Sequence, residues 1–219
     1  MIKKREISMD KIDLEGFFIK NKIALTTVLV VVILIVGAVF GIRYYNGVQS
    51  KKASKLLWKG VRLYMSYNGK NPSAVTKSIS YLKKLRGEYG GTRAAKISCF
   101  YTGLDYMRIG KFKNSSSYFN KYVKYYPKPA SNNLTYLAYS NLATVSTLEK
   151  NYKSAISDFA AMSKIDNVKL QEYAMLEEAA VYTKIKEPKK AVALYKTMLT
   201  NDAMTKDRGY IENLIQLNS

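Results

Sequence analysis

Few side chains in this sequence could carry chemistry. The chain holds no histidine, which removes the commonest general base and the commonest metal ligand together. A single cysteine, Cys99, excludes an internal disulfide framework and a thiolate zinc cage. Cys99 lies in an apolar helical stretch, where a small buried hydrophobe is the usual role and a reactive thiol the rarer one. The carboxylates are scattered. Glu177-Glu178 is the only adjacent pair, and helical neighbours one apart point in different directions, so the two do not form an acid–base dyad. Neither a phosphate loop nor a nucleophile elbow is visible. The sequence therefore reads as non-enzymatic, with no catalytic, cofactor-binding or metal residues expected.

What remains is a set of elements that position side chains for binding. The 219 residues suffice for an anchor and one domain of ordinary size. Four prolines and twelve glycines are too few for a disordered or collagen-like chain. From Ile23 to Ile42 there is no charge, and only Thr26 and Thr27 are polar apart from the glycines. At 1.5 Å per residue such a run makes a helix of roughly 30 Å, the thickness of a hydrocarbon core. Phe17 and Phe18 before it, with Tyr44 and Tyr45 after it, would sit at the headgroup level. A cleaved signal peptide is the rival reading. The run is longer than a signal h-region, however, and Ala38 to Arg43 makes a poor cleavage site. Residues 23–42 are thus expected to form a transmembrane helix after a short tail, 1–22. Six basic residues precede the span and six follow within twenty residues, so charge does not orient it. Gly37 and Gly41 form a GxxxG spacing, a candidate helix–helix contact for a homodimer in the membrane.

Beyond the anchor no segment alternates long enough to suggest a strand. Apolar residues recur three and four apart instead, as in Ile97, Phe100, Tyr101, Leu104 and Met107. Breakers at Asn68-Gly69, Asn71-Pro72, Gly87 to Gly91, Gly110 and Pro127 to Pro129 divide this pattern into helices. Helices in pairs prompt a search for repeats. One unit reads Gly103-x2-Tyr106-x3-Gly110-x-Phe112-x6-Phe119-x7-Pro127. That spacing resembles the tetratricopeptide (TPR) pattern of paired antiparallel helices. The resemblance implies that Gly103 lets the helices approach, Gly110 turns the chain and Pro127 closes the second helix. Ser115 and Tyr122 stand where alanine is usual. A second unit keeps Ala143, Tyr152, Ala155 and Phe159, with Ser146 and Lys150 replacing the usual tyrosine and glycine. The third keeps Ala179, Tyr182, Ala191 and Tyr195, with Pro188 early in its second helix.

The expected fold class is all-α, one transmembrane helix followed by a TPR-like α-solenoid over 43–219. Its units fall at about 51–87, 96–129, 136–168 and 172–203, with a closing helix at 206–216. Trp58, Gly60, Leu63, Ile79 and Leu82 mark the leading pair; Tyr210, Ile211, Leu214 and Ile215 are the expected buried face of the closing helix. By the TPR likeness, the inner face comes from the first helix of each pair, which makes Phe100, Leu104, Met107 and Arg108 the candidate partner groove. Phe100 and Leu104 as ordinary core is the alternative.

Phe17-Phe18-x2-Asn21, Gly41-x-Arg43-Tyr44-Tyr45-Asn46 and Ile211-x-Asn213-Leu214 carry a narrower resemblance. They resemble the YfgM-like family, ancillary subunits of the SecYEG translocon. The resemblance implies an inner-membrane, single-pass protein with a cytoplasmic N-terminus and a periplasmic repeat domain. Its implied partners are translocon subunits, chaperones and exported chains. Basicity departs from that pattern. Arg43 to Leu148 holds nineteen Lys and Arg against Glu88 and Asp105, a net of +17; Glu149 to Ser219 holds eleven against ten, a net of +1. Such a half could meet anionic lipid, or its lysines could simply be solvated helix faces. Nucleic acid is not an expected partner despite a net charge of +20, since the anchor leaves little opportunity and the interleaved tyrosines at 121–126 suit packing. A structural envelope adaptor for a division or outer-membrane assembly complex, or a lipid-surface-binding solenoid, are the alternatives to translocon association.

Overall fold

In a computed structural model the described residues are 19–69, 72–128, 133–201 and 208–219. Most of the short tail, including Phe17 and Phe18, lies outside them, as do Asn71, Pro129 and Lys206. Every regular element among the described residues is helical: α1 Lys22–Ser66, α2 Pro72–Tyr89, α3 Arg93–Arg108, α4 Phe112–Tyr125, α5 Asn133–Leu148, α6 Tyr152–Met162, α7 Val168–Lys184, α8 Pro188–Leu199 and α9 Arg208–Leu217. The chain divides into two compact units, Met1–Val48 and Gln49–Ser219.

In the first unit the helix is apolar all round. Every residue from Thr26 to Ile42 is exposed. The Thr26 and Thr27 hydroxyls donate to the carbonyls of Lys22 and Ile23, at 2.8 and 2.9 Å, so their polarity is spent inside the helix. By length and composition this is the one helix among the described residues able to cross a membrane. The sequence suggests an end near Ile42 and a new helix near Lys51. The structure instead runs α1 unbroken through 45 residues. Nothing between Arg43 and Ser50 interrupts it: there is no proline, and Gly47 alone costs only about 1 kcal/mol.

In the second unit, helices adjacent in sequence pack on one another from α2 through α9. Ala53, Leu85, Ala94 and Ala95 form the leading core, and Gly60 lets α1 approach Leu82, whose Cδ2 would lie 2.6 Å from an added Cβ. Further cores centre on Phe119 and Tyr122, on Phe159 and Met162, and on Tyr195 and Met198. Helix starts follow local chemistry. Thr92 and Asn167 side chains accept from the amides of Ala95 and Leu170, and Pro188 occupies the first turn of α8. In α9 Ile211 is buried, and Leu214 and Ile215 are half-buried. Tyr210, expected on that face, is 52 % exposed. It lies one residue before Ile211, about 100° around the helix.

Candidate partner-binding face

The candidate residues on α3 separate by depth. Phe100 is buried in the core, with ring centroids 5.7 Å from those of both Phe119 and Tyr122. Leu104 and Met107 pack on the edge of that cluster and stay half-exposed, while Arg108 is exposed. The surface at this face is therefore Leu104, Met107 and Arg108, with Tyr101 beside them. Arg108 is held in place: its guanidinium lies 3.6 Å from the Tyr64 ring centroid and 5.6 Å from that of Tyr67, and it donates to the Tyr64 carbonyl. Tyr101 meets the same Tyr64 edge-on at 5.8 Å. Tyr64 near the end of α1 and Tyr67 just past it, which spacing alone did not single out, fix the cation. Helix α3 also touches α5, so the first helices of successive pairs are neighbours.

Beneath this face α2 and α3 share a buried polar network. Ser78 Oγ lies 2.6 Å from Asp105 Oδ2 and 3.0 Å from the Gly60 carbonyl. One hydroxyl proton cannot serve both. With Asp105 protonated the chain completes itself, Asp105 donating to Ser78 and Ser78 to Gly60. Burial pushes the Asp105 carboxyl up to about 7, against the opposing pull of the Ser78 hydroxyl, which donates to Asp105 when the carboxylate is ionised, and of Arg108. Asp105 Oδ1 finds no partner among the described residues. Further along, Arg86 donates to Ser98 Oγ at 3.0 Å and Thr102 Oγ1 at 2.8 Å, and lies 4.8 Å from the Tyr118 ring centroid.

The other chemistry-bearing residues stay apart. Cys99 is buried, and burial raises its thiol pKa, which disfavours the reactive thiolate. Glu178 is buried, with its carboxyl pushed up by burial, whereas Glu177 is half-exposed. Among the described residues no three His, Cys, Asp or Glu side chains come together as a metal site would require. Gly37 and Gly41 stand on the apolar stretch of the first unit, with nothing within 4 Å of an added Cβ.

The sequence from residue 17 to 218 matches the tetratricopeptide repeat-like domain. The chain belongs to that family. No curated protein matches it. Repeats of this kind stack into extended binding surfaces and are typically non-catalytic scaffolds, so this TPR-like domain is a protein-interaction module.

The TPR-like register explains the packing. Gly103, Ala143 and Ala179 are equivalent, forty and then thirty-six residues apart, and face Phe119, Phe159 and Tyr195. Gly103 is the tightest: an added Cβ would lie 2.8 Å from the Phe119 ring. Ser115, at an alanine position, donates to the Gly103 carbonyl at 2.8 Å. Tyr122, at the other, is buried, and it shares its register position with Met162 and Met198. The turns between paired helices are also equivalent. Lys111, Asn151 and Glu187 donate back to Tyr106, Ser146 and Tyr182 at 2.9, 2.7 and 2.9 Å, a Schellman closure. The residue before each has positive φ: Gly110 at 69°, Lys150 and Lys186 at 61°. Glycine is the usual occupant, and two lysines hold that conformation here.

Proposed function

We propose that this protein is a non-enzymatic adaptor, anchored in the cell inner membrane by residues 23–42, with its tail (1–22) cytoplasmic and its repeat domain (43–219) extracytoplasmic. It holds protein partners beside the Sec translocon: translocon subunits, chaperones or exported chains. The observation that carries the adaptor reading is the TPR-like domain across nearly the whole chain. The exposed face of Leu104, Met107 and Arg108 supports the choice of groove, because it combines half-open apolar side chains with one fixed cation. The resemblance at Arg43-Tyr44-Tyr45 supports the translocon assignment and the orientation.

A photo-crosslinking residue placed at Met107 in cells, followed by mass spectrometry, tests this directly. Translocon subunits, chaperones or exported chains should be captured. Capture confined to division or outer-membrane assembly components would replace the translocon reading by the structural one. Leu104→Gln combined with Met107→Gln should lower that capture several-fold while moving the thermal midpoint little, since neither side chain is fully buried.

A further inference from the structure

A groove of about 660 Å³ lies between α1 and α2, lined by Trp58, Leu63 and Tyr81 together with the cations Lys55, Lys59, Arg62 and Lys77. Trp58 leaves 62 % of its surface exposed, an unusual position for the one indole of the chain. The Lys59 ammonium stands 5.8 Å from the Tyr81 ring centroid. Between Arg43 and Leu148 the chain has two carboxylates, and neither serves this groove. Asp105 is buried against Ser78, and Glu88 pairs with Lys84 at 3.6 Å. The four lining cations therefore have no carboxylate of this half to meet.

We infer that the groove binds an acidic amphipathic segment of a partner protein, which inserts an apolar side chain against Trp58 and Tyr81 and sets carboxylates on Lys55, Lys59, Arg62 and Lys77. The four cations among the lining residues complement an acidic segment, and the exposed Trp58 and Tyr81 offer aromatic area of the kind that anchors a binding hot spot. A concave groove with aromatic lining suits an inserted side chain better than a planar headgroup surface. The inference rests on the adaptor reading and adds the chemistry of a partner and the place where it docks.

Trp58 reports on the site without a label. The full chain in phosphatidylcholine nanodiscs is titrated with a short peptide alternating Glu pairs with Leu, and with the same peptide carrying Gln for Glu. The acidic peptide should shift Trp58 emission to the blue saturably, and the Gln peptide should not. Affinity should fall roughly tenfold between about 0.05 and 0.5 M salt as screening shortens. Lys59→Glu with Lys77→Glu should weaken binding at least roughly tenfold, equivalent to about 1.4 kcal/mol. If that pair lowers the melting temperature, Lys55→Gln with Arg62→Gln takes its place. Silence with the acidic peptide, an equal response to the Gln peptide, or unchanged binding in the charge variants overturns the inference. So does a response to phosphatidylglycerol vesicles alone, which would make the groove a lipid site. Crosslinking from Met107 is independent: protein capture there with a silent Trp58 sinks only the groove, whereas loss of capture with a responsive Trp58 sinks the choice of the α3 face.

Discussion

The first strong repeat and the two that follow share a register but differ in what fills it. On α3, Ser98, Thr102 and Asp105 are buried. Their equivalents are Ala138, Leu142 and Val145 on α5, and Ala174, Glu178 and Val181 on α7, all buried as well. The neighbour accounts for the difference. Helix α2 brings Ser78 and Arg86 against α3, so Ser98, Thr102 and one oxygen of Asp105 find partners there, whereas α4 and α6 present Phe119, Tyr122, Phe159 and Met162 to apolar cores. The leading pair is thus joined to the repeats by directional hydrogen bonds. The later pairs are joined mostly by shape and area. A polar seam costs desolvation but fixes one alignment, a suitable property where a solenoid meets a pair that departs from the repeat pattern.

Substitutions in the two regions should differ in effect. Gly103→Val drives a branched side chain into the Phe119 ring and should destabilise the domain by about 3 kcal/mol in chemical denaturation. Ala143→Val, at the equivalent place in the next repeat where a Cβ is already accommodated, should cost less, about 1–2 kcal/mol. A similar loss at both would mean that the close approach is not peculiar to the first repeat.

Asp105 gives an effect of comparable size, on the order of a few kcal/mol. Its folded-state pKa of about 7 lies above the ordinary 3.8, so the folded chain binds the proton more tightly than the unfolded chain. Its contribution to stability is fully present below about 4 and is lost as pH rises through about 7. Asp105→Asn should therefore melt above the parent at pH 8 and converge with it near pH 4. Parallel melting curves across that range would show that Asp105 stays ionised in the folded chain.

The smallest effect belongs to the turns. Lys150→Gly and Lys186→Gly should each be mildly stabilising, by about 0.5–1 kcal/mol, because glycine relieves a left-handed backbone. Gly110→Ala should lose a similar amount, and its lower thermal midpoint would be the readout.

Much of this architecture is legible in the amino-acid sequence. Apolar spacing marks the helix pairs, and the twenty uncharged residues from Ile23 to Ile42 mark the apolar helix. Gly103 and Gly110 carry their physical reasons on their face: close approach at one, positive φ at the other. Other features need three dimensions. Periodicity alone gives no depth, so Phe100 falls among groove candidates although its ring is core. The unbroken α1 is hidden because the apolar run ends at Ile42 and the leading unit starts near residue 51, while the polar residues between them, such as Asn46 and Gln49, do not stop a helix. The pairing of Ser78 with Asp105 joins positions twenty-seven residues apart, beyond what local spacing encodes. Trp58 could have been found: a lone indole among Lys55, Lys59 and Arg62 is an odd choice for a core.

Thiol labelling of the full chain distinguishes an extracytoplasmic repeat domain held by one membrane span, as proposed, from a cytoplasmic one. Cys99, buried with its Sγ 3.9 Å from the Ala95 carbonyl, is replaced by serine, and single cysteines are placed at Ser8 or at the exposed Ser219. A membrane-impermeant reagent is then applied to spheroplasts. Labelling at position 219 and protection at position 8 are the expected outcome. Labelling at 8 with protection at 219 would put the repeats in the cytoplasm and contradict it, and labelling at both would contradict a single membrane span.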